Sequence, residues 1–275
     1  MAGPHTGFRR SPPLASTALA CTAAVFCAAL AACGGGPGTS GPPASAPSAS
    51  TASPSPSGEP EGERLVLRWR RTGGVAGVGG PGSVPEFSLY SSGLAITASE
   101  QPDSRPPDKR LTGYRLRPEA LRRLLDGARD AGFGRSHTVG SDQIADAFIT
   151  VVSMGGATTR IIEPGPPGSA EAAFLRRLDP DGWPPADLAA PPRPYVPERT
   201  AVLAGEIGGD GADARPWPLG PLGDGVRAAG GVCTLAPTVK VPGTAPGIVW
   251  RSEGEVYSVR LRPLLPGESS CADLD

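Results

Sequence analysis

"DAFITVVSMGGATTRIIEP", Asp146 to Pro164, is the stretch that decides the fold. Two runs rich in β-branched residues flank Gly155-Gly156, and a diglycine supplies the positive φ angles that a tight hairpin turn needs. An antiparallel hairpin is therefore expected here. Upstream, Pro118 suits a helix's first turn, and Leu121, Leu124, Leu125 and Ala128 recur at i, i+3, i+4 and i+7 before Gly132. That spacing predicts an amphipathic helix ending at the glycine. Downstream, Ala170 to Leu178 reads as a short second helix.

Further upstream, "RLVLRWR" alternates Leu65, Leu67 and Trp69 against Val66, Arg68 and Arg70, a half-buried strand. "EFSLYSSGLAIT", Glu86 to Thr97, reads as two strands around Ser91-Ser92-Gly93. Towards the C-terminus, Thr200 to Glu206 reads as a strand, and "GIVWRSEGEVYSVRLRPLLP" as a hairpin turning at Ser252 to Glu255. The elements sum to an α+β fold of antiparallel β-hairpins with one main helix and a short second helix, not a βαβ succession. Prolines cluster at Pro184, Pro185, Pro191, Pro192 and Pro194. They suggest a boundary between an α+β subdomain, 64–190, and a β-rich C-terminal subdomain, 191–275.

The N-terminal quarter is of another kind. Arg9 and Arg10 precede the uncharged run "LASTALACTAAVFCAAL", Leu14 to Leu30, and small residues follow. This is the pattern of a secretory signal, to be set apart from the fold. Its exit, Leu30-Ala31-Ala32-Cys33, resembles the lipobox of bacterial lipoproteins. That resemblance implies a signal peptide over 1–32, diacylglycerol on the thiol of Cys33, and anchoring to the outer face of the cytoplasmic membrane. The two arginines are followed by prolines where a twin-arginine signal has apolar residues, which favours general secretion. Gly34 to Glu63 then holds seven Pro, seven Gly and seven Ser, with no aromatic or branched aliphatic residue. Such a segment has too little apolar surface to offset its chain entropy, so 33–63 reads as a lipidated cysteine and a disordered tether. A flexible chain of that length spans roughly 30 Å.

Five cysteines occur in the chain. Cys21 and Cys27 leave with the signal and Cys33 carries lipid, so Cys233 and Cys271 remain as a pair. In an oxidising compartment such a pair is expected to form a disulfide. The formal net charge of −1 excludes a strong attraction to phosphate backbones, and with it nucleic acid as a partner.

Catalytic signatures are sparse. "GVGGPG", Gly77 to Gly82, satisfies G-x-G-x-x-G, but Pro81 and the strand-like residues after it contradict the helix that a dinucleotide site requires. His137, with Asp142 and Asp146 nearby, is expected to be a surface loop histidine. Neither G-x-S-x-G, S-x-x-K nor H-E-x-x-H occurs, so no catalytic residue, metal site or cofactor is expected. "DPDGW", Asp179 to Trp183, and "GGDGADAR", Gly208 to Arg215, lack the spaced acids of an EF-hand and read as polar turns. Trp69, Trp183, Trp217 and Trp250 can stack on sugars or fill the core, and carboxylates suited to glycoside hydrolysis are common in the chain.

Two resemblances add to this reading. "LVLRW..TGG" at Leu65 to Gly74, "FSLYSSG" at Phe87 to Gly93 and "LRPLLPGESSCADL" at Leu261 to Leu274 look like a group of actinobacterial lipoproteins. That likeness carries no activity with it. From Leu65 to about Leu178, "RTGGVAG" at Arg71 to Gly77 followed by the helix and the diglycine hairpin is similar to emfourin, a small inhibitor of thermolysin-like metalloproteases. That second likeness implies a binding loop at Gly73, Gly74 and Gly77, and an extracellular protease as partner. This chain departs from it by an inserted Gly79 to Pro85, a long stretch before the helix and a whole C-terminal part. The expectation is an exported, membrane-anchored, non-enzymatic binding module whose partner is an envelope protein or protease. A protease inhibitor and an envelope-polymer hydrolase are the alternatives.

Overall fold

The diglycine hairpin forms as its sequence dictates. In the computed structural model Gly155 and Gly156 take φ angles of 55° and 87°, and the chain reverses between them. The structure describes residues 63–74, 79–100, 109–163, 165–166, 168–208, 211–244 and 247–274. The signal, Cys33, nearly all of the tether, and Gly77 lie outside these. In chain order the first elements are β1 (Leu65–Gly73), β2 (Phe87–Tyr90), β3 (Leu94–Glu100), β4 (Lys109–Leu116) and α1 (Pro118–Asp130). Then come β5 (His137–Val139), β6 (Phe148–Met154), β7 (Ala157–Ile162), α2 (Ala170–Arg177) and β8 (Leu188–Pro194). The eight strands form one sheet in the order β5-β7-β6-β1-β2-β3-β4-β8, antiparallel throughout except β5 with β7.

A second sheet follows from β9 (Arg199–Glu206), β10 (Arg215–Pro216), β11 (Val226–Ala228), β12 (Gly231–Pro237), β13 (Val249–Ser252) and β14 (Glu255–Pro263). Its order is β10-β13-β14-β9-β12-β11, and only the short β10 pairs in parallel. The architecture is thus α+β, with two mainly antiparallel sheets and two helices.

Helix α1 starts at Pro118 and stops where Gly132 adopts φ 95°. The Phe133 and Gly132 amides donate back to the Ala128 and Arg129 carbonyls, which satisfies backbone acceptors left free by the helix end. Its apolar stripe, Ala120, Leu124 and Ala128, packs on Leu67, Phe87, Leu89 and Val152 of the first sheet. Phe174 of α2 completes that layer.

Away from the helices, the first sheet buries Tyr90, Ile96 and Leu111 against Leu265. Leu264 and Leu274 pack on the second sheet with Ala201, Leu203 and the Cys233–Cys271 bridge, whose Cα atoms are 6.1 Å apart. The segment 264–274 therefore fills the space between the two sheets. The second sheet's opposite face holds Trp217 and Trp250, edge to face at 5.1 Å, with Tyr257 and Val259.

Three local expectations differ from the structure. Leu65 does not share a face with Leu67 and Trp69. A bulge between Leu65 and Leu67 turns Leu65 towards the Tyr90 cluster and puts Val66 beside Leu67. The proline-rich 188–194 is a strand: β8 pairs with β4 at the edge of the sheet, where one row of N–H groups has no ladder to join and proline costs little. It straddles the 190/191 boundary suggested by its composition. His137 opens strand β5 and is half-buried, not a surface loop residue.

Candidate functional site

Helix α1 and the chain leaving α2 enclose a groove of about 310 Å³. Its floor is the apolar side of α1, Ala120 and Leu124, with Leu116 from the end of β4. Its far wall is Trp183. The indole is fixed twice: its Nε1 donates to the Arg177 carbonyl at 2.8 Å, and its ring meets Tyr114 and Phe87 edge to face at 5.6 and 6.3 Å. Local sequence explains the wall's position. Asp179 accepts a hydrogen bond from the Asp181 amide at 3.1 Å and caps a single 3₁₀ turn, Pro180–Gly182. That turn delivers Trp183 back across the end of α2. "DPDGW" is thus a polar turn with a structural task.

Arg123, Arg176 and Arg177 edge this groove. Arg123 is held by Asp187 at 2.5 Å. Arg122 and Arg129, elsewhere on α1, pair with Glu119 and Asp126. Among the described residues, Arg176 and Arg177 have no carboxylate within ion-pair distance. Arg177 instead lies over the Phe174 ring at 5.7 Å and against α1 at Gly127. A Cβ at Gly127 would stand 2.7 Å from its Nη1. A glycine inside a helix costs about 1 kcal/mol relative to alanine. At Gly127 that cost leaves room for a guanidinium.

A second groove, about 460 Å³, lies on the other side of Asp179 and is lined by Trp69, Phe87, Tyr114 and Asp181, among others. Burial, with the carboxylates of Asp181 and Asp179 nearby, holds the Tyr114 phenol above its ordinary pKa.

His137 sits between a hydroxyl and a carboxylate without forming a relay. Its Nε2 lies 3.1 Å from Glu171 Oε1 on α2, and its Nδ1 lies 3.3 Å from Thr159 Oγ1. Nδ1 is nearer the Arg135 carbonyl, at 3.0 Å, and donates to it, so it does not take a proton from the Thr159 hydroxyl. Thr159 is also fully buried, so no substrate reaches its oxygen. The arrangement ties the edge strand β5 to α2. The partner is Glu171, not Asp142 or Asp146. Burial pushes the Glu171 carboxyl up, but hydrogen bonds from its own backbone N–H and from His137 outweigh this, leaving it below the ordinary carboxylate range.

Of the three glycines expected to form a binding loop, Gly77 lies outside the described residues, and Gly73 and Gly74 have packing duties. Gly73, at φ 89°, ends β1 with its Cα so close to the Ala147 carbonyl that a Cβ would stand 2.4 Å from the oxygen. Gly74 donates to the same carbonyl at 3.2 Å and lies under the Phe148 ring. Beyond 75–78, Gly82 sits on Leu203 of β9 and Ala229 of the β11–β12 turn, and its amide donates to the Leu274 carbonyl at 3.2 Å. From Gly79 the described chain turns and enters β2; no helix starts there.

One buried cluster was not legible beforehand. Glu268 Oε1 accepts from Arg68 of β1 at 3.1 Å and from Arg262 of β14 at 2.8 Å, while Oε2 accepts from the Leu265 amide at 2.7 Å. Arg262 also donates to the Pro263 carbonyl. The phenol of Tyr195 donates to the Leu264 carbonyl at 3.1 Å, and burial, reinforced by Glu268, pushes it up to about 12. One carboxylate thus joins both sheets. Among the described residues no three His, Cys, Asp or Glu side chains converge as a metal site. Compared with protein-family models, with curated proteins and with solved structures, the chain matches none.

Proposed function

We propose that the protein is an exported lipoprotein, held on the outer face of the cytoplasmic membrane by lipid on Cys33. Residues 34–63 act as a spacer, and the two-sheet body binds a component of the cell envelope at the groove beside Trp183. The observation that carries this reading is the Cys233–Cys271 bridge. Disulfides persist in oxidising, extracytoplasmic compartments. This one joins the two cysteines that remain once the signal is removed and Cys33 is lipidated. The groove supports the binding half of the reading. Its groups are an immobilised indole and two guanidiniums free of carboxylate partners, which recognise and hold a ligand.

The test is detergent-phase partitioning of the full chain from its producing cell. The wild type is expected in the detergent phase, and Cys33→Ala in the aqueous phase or as an unprocessed precursor. Unchanged partitioning of the variant would overturn the anchor. Without reductant, the wild type should show no free thiol at Cys233 or Cys271.

A further inference from the structure

We propose that the groove between α1 and Trp183 is a binding site for an anionic sugar, one hexose unit bearing a carboxylate or a phosphate. The inference rests on the binding-module reading above and names its ligand.

Three observations converge on that chemistry. The first is charge. The arginines elsewhere on α1 pair with Glu119 and Asp126, and Arg123 with Asp187. Arg176 and Arg177, without an ion pair among the described residues, line the groove, where Asp179 is the one carboxylate not engaged by Arg123. A guanidinium stays charged and presents a fork of donors that matches carboxylate and phosphate oxygens. The second is preorganisation. Arg177 rests over the Phe174 ring and in the notch left by the absent side chain of Gly127, so part of its ordering entropy is already spent. The third is the wall. Trp183 is immobilised by its hydrogen bond and two aromatic contacts, and faces a floor of Ala120 and Leu124. A free inorganic anion has no use for an apolar floor and an aromatic wall. A sugar presents C–H faces to both while its acidic group meets the arginines. The volume of about 310 Å³ is at the small end for ligand sites, which suits one sugar unit and not a macromolecular surface.

The experiment is calorimetric titration of the full-length, detergent-solubilised protein at low salt with glucuronate, glucose 6-phosphate, glucose and inorganic phosphate. At least one charged hexose is expected to bind tenfold or more tightly than glucose, and more tightly than inorganic phosphate. The ratio between the two charged hexoses tells carboxylate from phosphate. Arg176→Gln and Arg177→Gln are each expected to weaken that binding tenfold or more; both side chains are exposed, so the fold should persist. Gly127→Ala is the sharper variant. A methyl group displaces the Arg177 guanidinium while improving the helix, so the melting temperature should hold or rise as affinity falls. Equal affinity for glucose and the charged hexoses, or undiminished binding in Arg176→Gln/Arg177→Gln, would overturn the proposal. Sedimentation with detergent-extracted envelope polymer, which offers no bilayer to the lipid on Cys33, separates the two readings. If no hexose binds but the protein still sediments, the ligand class falls and the module stands. If neither occurs, both fall.

Discussion

Glu268→Gln removes one negative charge from between two guanidiniums. Glu268 and Arg262 retain 5% and 2% of their side-chain exposure, and Arg68 retains 21%. In the native protein the carboxylate accepts three hydrogen bonds, two from guanidiniums and one from the Leu265 amide. The amide of glutamine has one oxygen. Whichever way it points, its NH2 faces a donor, either a guanidinium or the Leu265 N–H. The guanidiniums cannot escape by losing a proton, because arginine stays protonated in proteins. Removing one partner from a buried ion pair costs about 3–5 kcal/mol. Arg68 is partly solvated, which places the expected loss near the lower end, about 3 kcal/mol. Whole domains are stable by only about 5–15 kcal/mol, so the change is large. Urea unfolding of wild type and variant, followed by near-UV circular dichroism, measures it through the midpoint at constant slope. A complementary variant separates pairing from burial. Arg68→Met, Arg262→Met and Glu268→Leu together replace the cluster by apolar volume, and should recover most of the loss. A loss below about 1 kcal/mol in Glu268→Gln, or a triple variant less stable than Glu268→Gln itself, would refute the claim that this carboxylate ties the sheets together.

Cys233→Ala with Cys271→Ala opens a loop of sequence separation 38 and should lower stability by up to about 4 kcal/mol; unchanged thermal unfolding would contradict this. Gly73→Ala combines a positive φ with a 2.4 Å contact to the Ala147 carbonyl, so a loss of about 1–3 kcal/mol is expected, read by the urea midpoint. The Glu171 carboxyl has a lowered pKa in the folded state, so its contribution is complete above the ordinary carboxylate range and disappears as pH falls through the lowered value. Acid unfolding monitored by fluorescence should therefore be less steep in Glu171→Gln than in wild type, with no difference near neutrality arising from this titration.

What could be read beforehand was what is local. The Gly155-Gly156 hairpin, the Ser91–Gly93 turn, α1 and α2 all carry their instructions within a few residues, as turn glycines or a periodic apolar stripe. Strands β4 and β8 were not foreseen. In "KRLTGYRL" polar residues dilute the alternation, and in "LAAPPRP" proline argues against a strand unless the edge position is known. The groove was hidden for another reason. Arg176 and Arg177 in the last turn of a helix look like partners of its dipole. Gly127, which the reading of the helix passed over, is the local mark that something large lies against α1. The role of Glu268 was out of reach, because its partners are drawn from strands that only the tertiary fold brings together.

The position of Glu268 also bears on when the body is finished. It follows Arg68 by 200 residues. Chains that rely on such distant contacts fold slowly, since a long loop must close before the contact repays it. As the chain emerges from its N-terminal end, β1 appears with Arg68 uncompensated and stays so until segment 264–274 arrives. A chain broken off before that segment keeps every strand of the first sheet yet leaves Tyr90, Ile96 and Leu111 without Leu265 to cover them. The last residues of the chain thus finish the core begun by its first strand: Leu265 covers the apolar face and Glu268 meets Arg68.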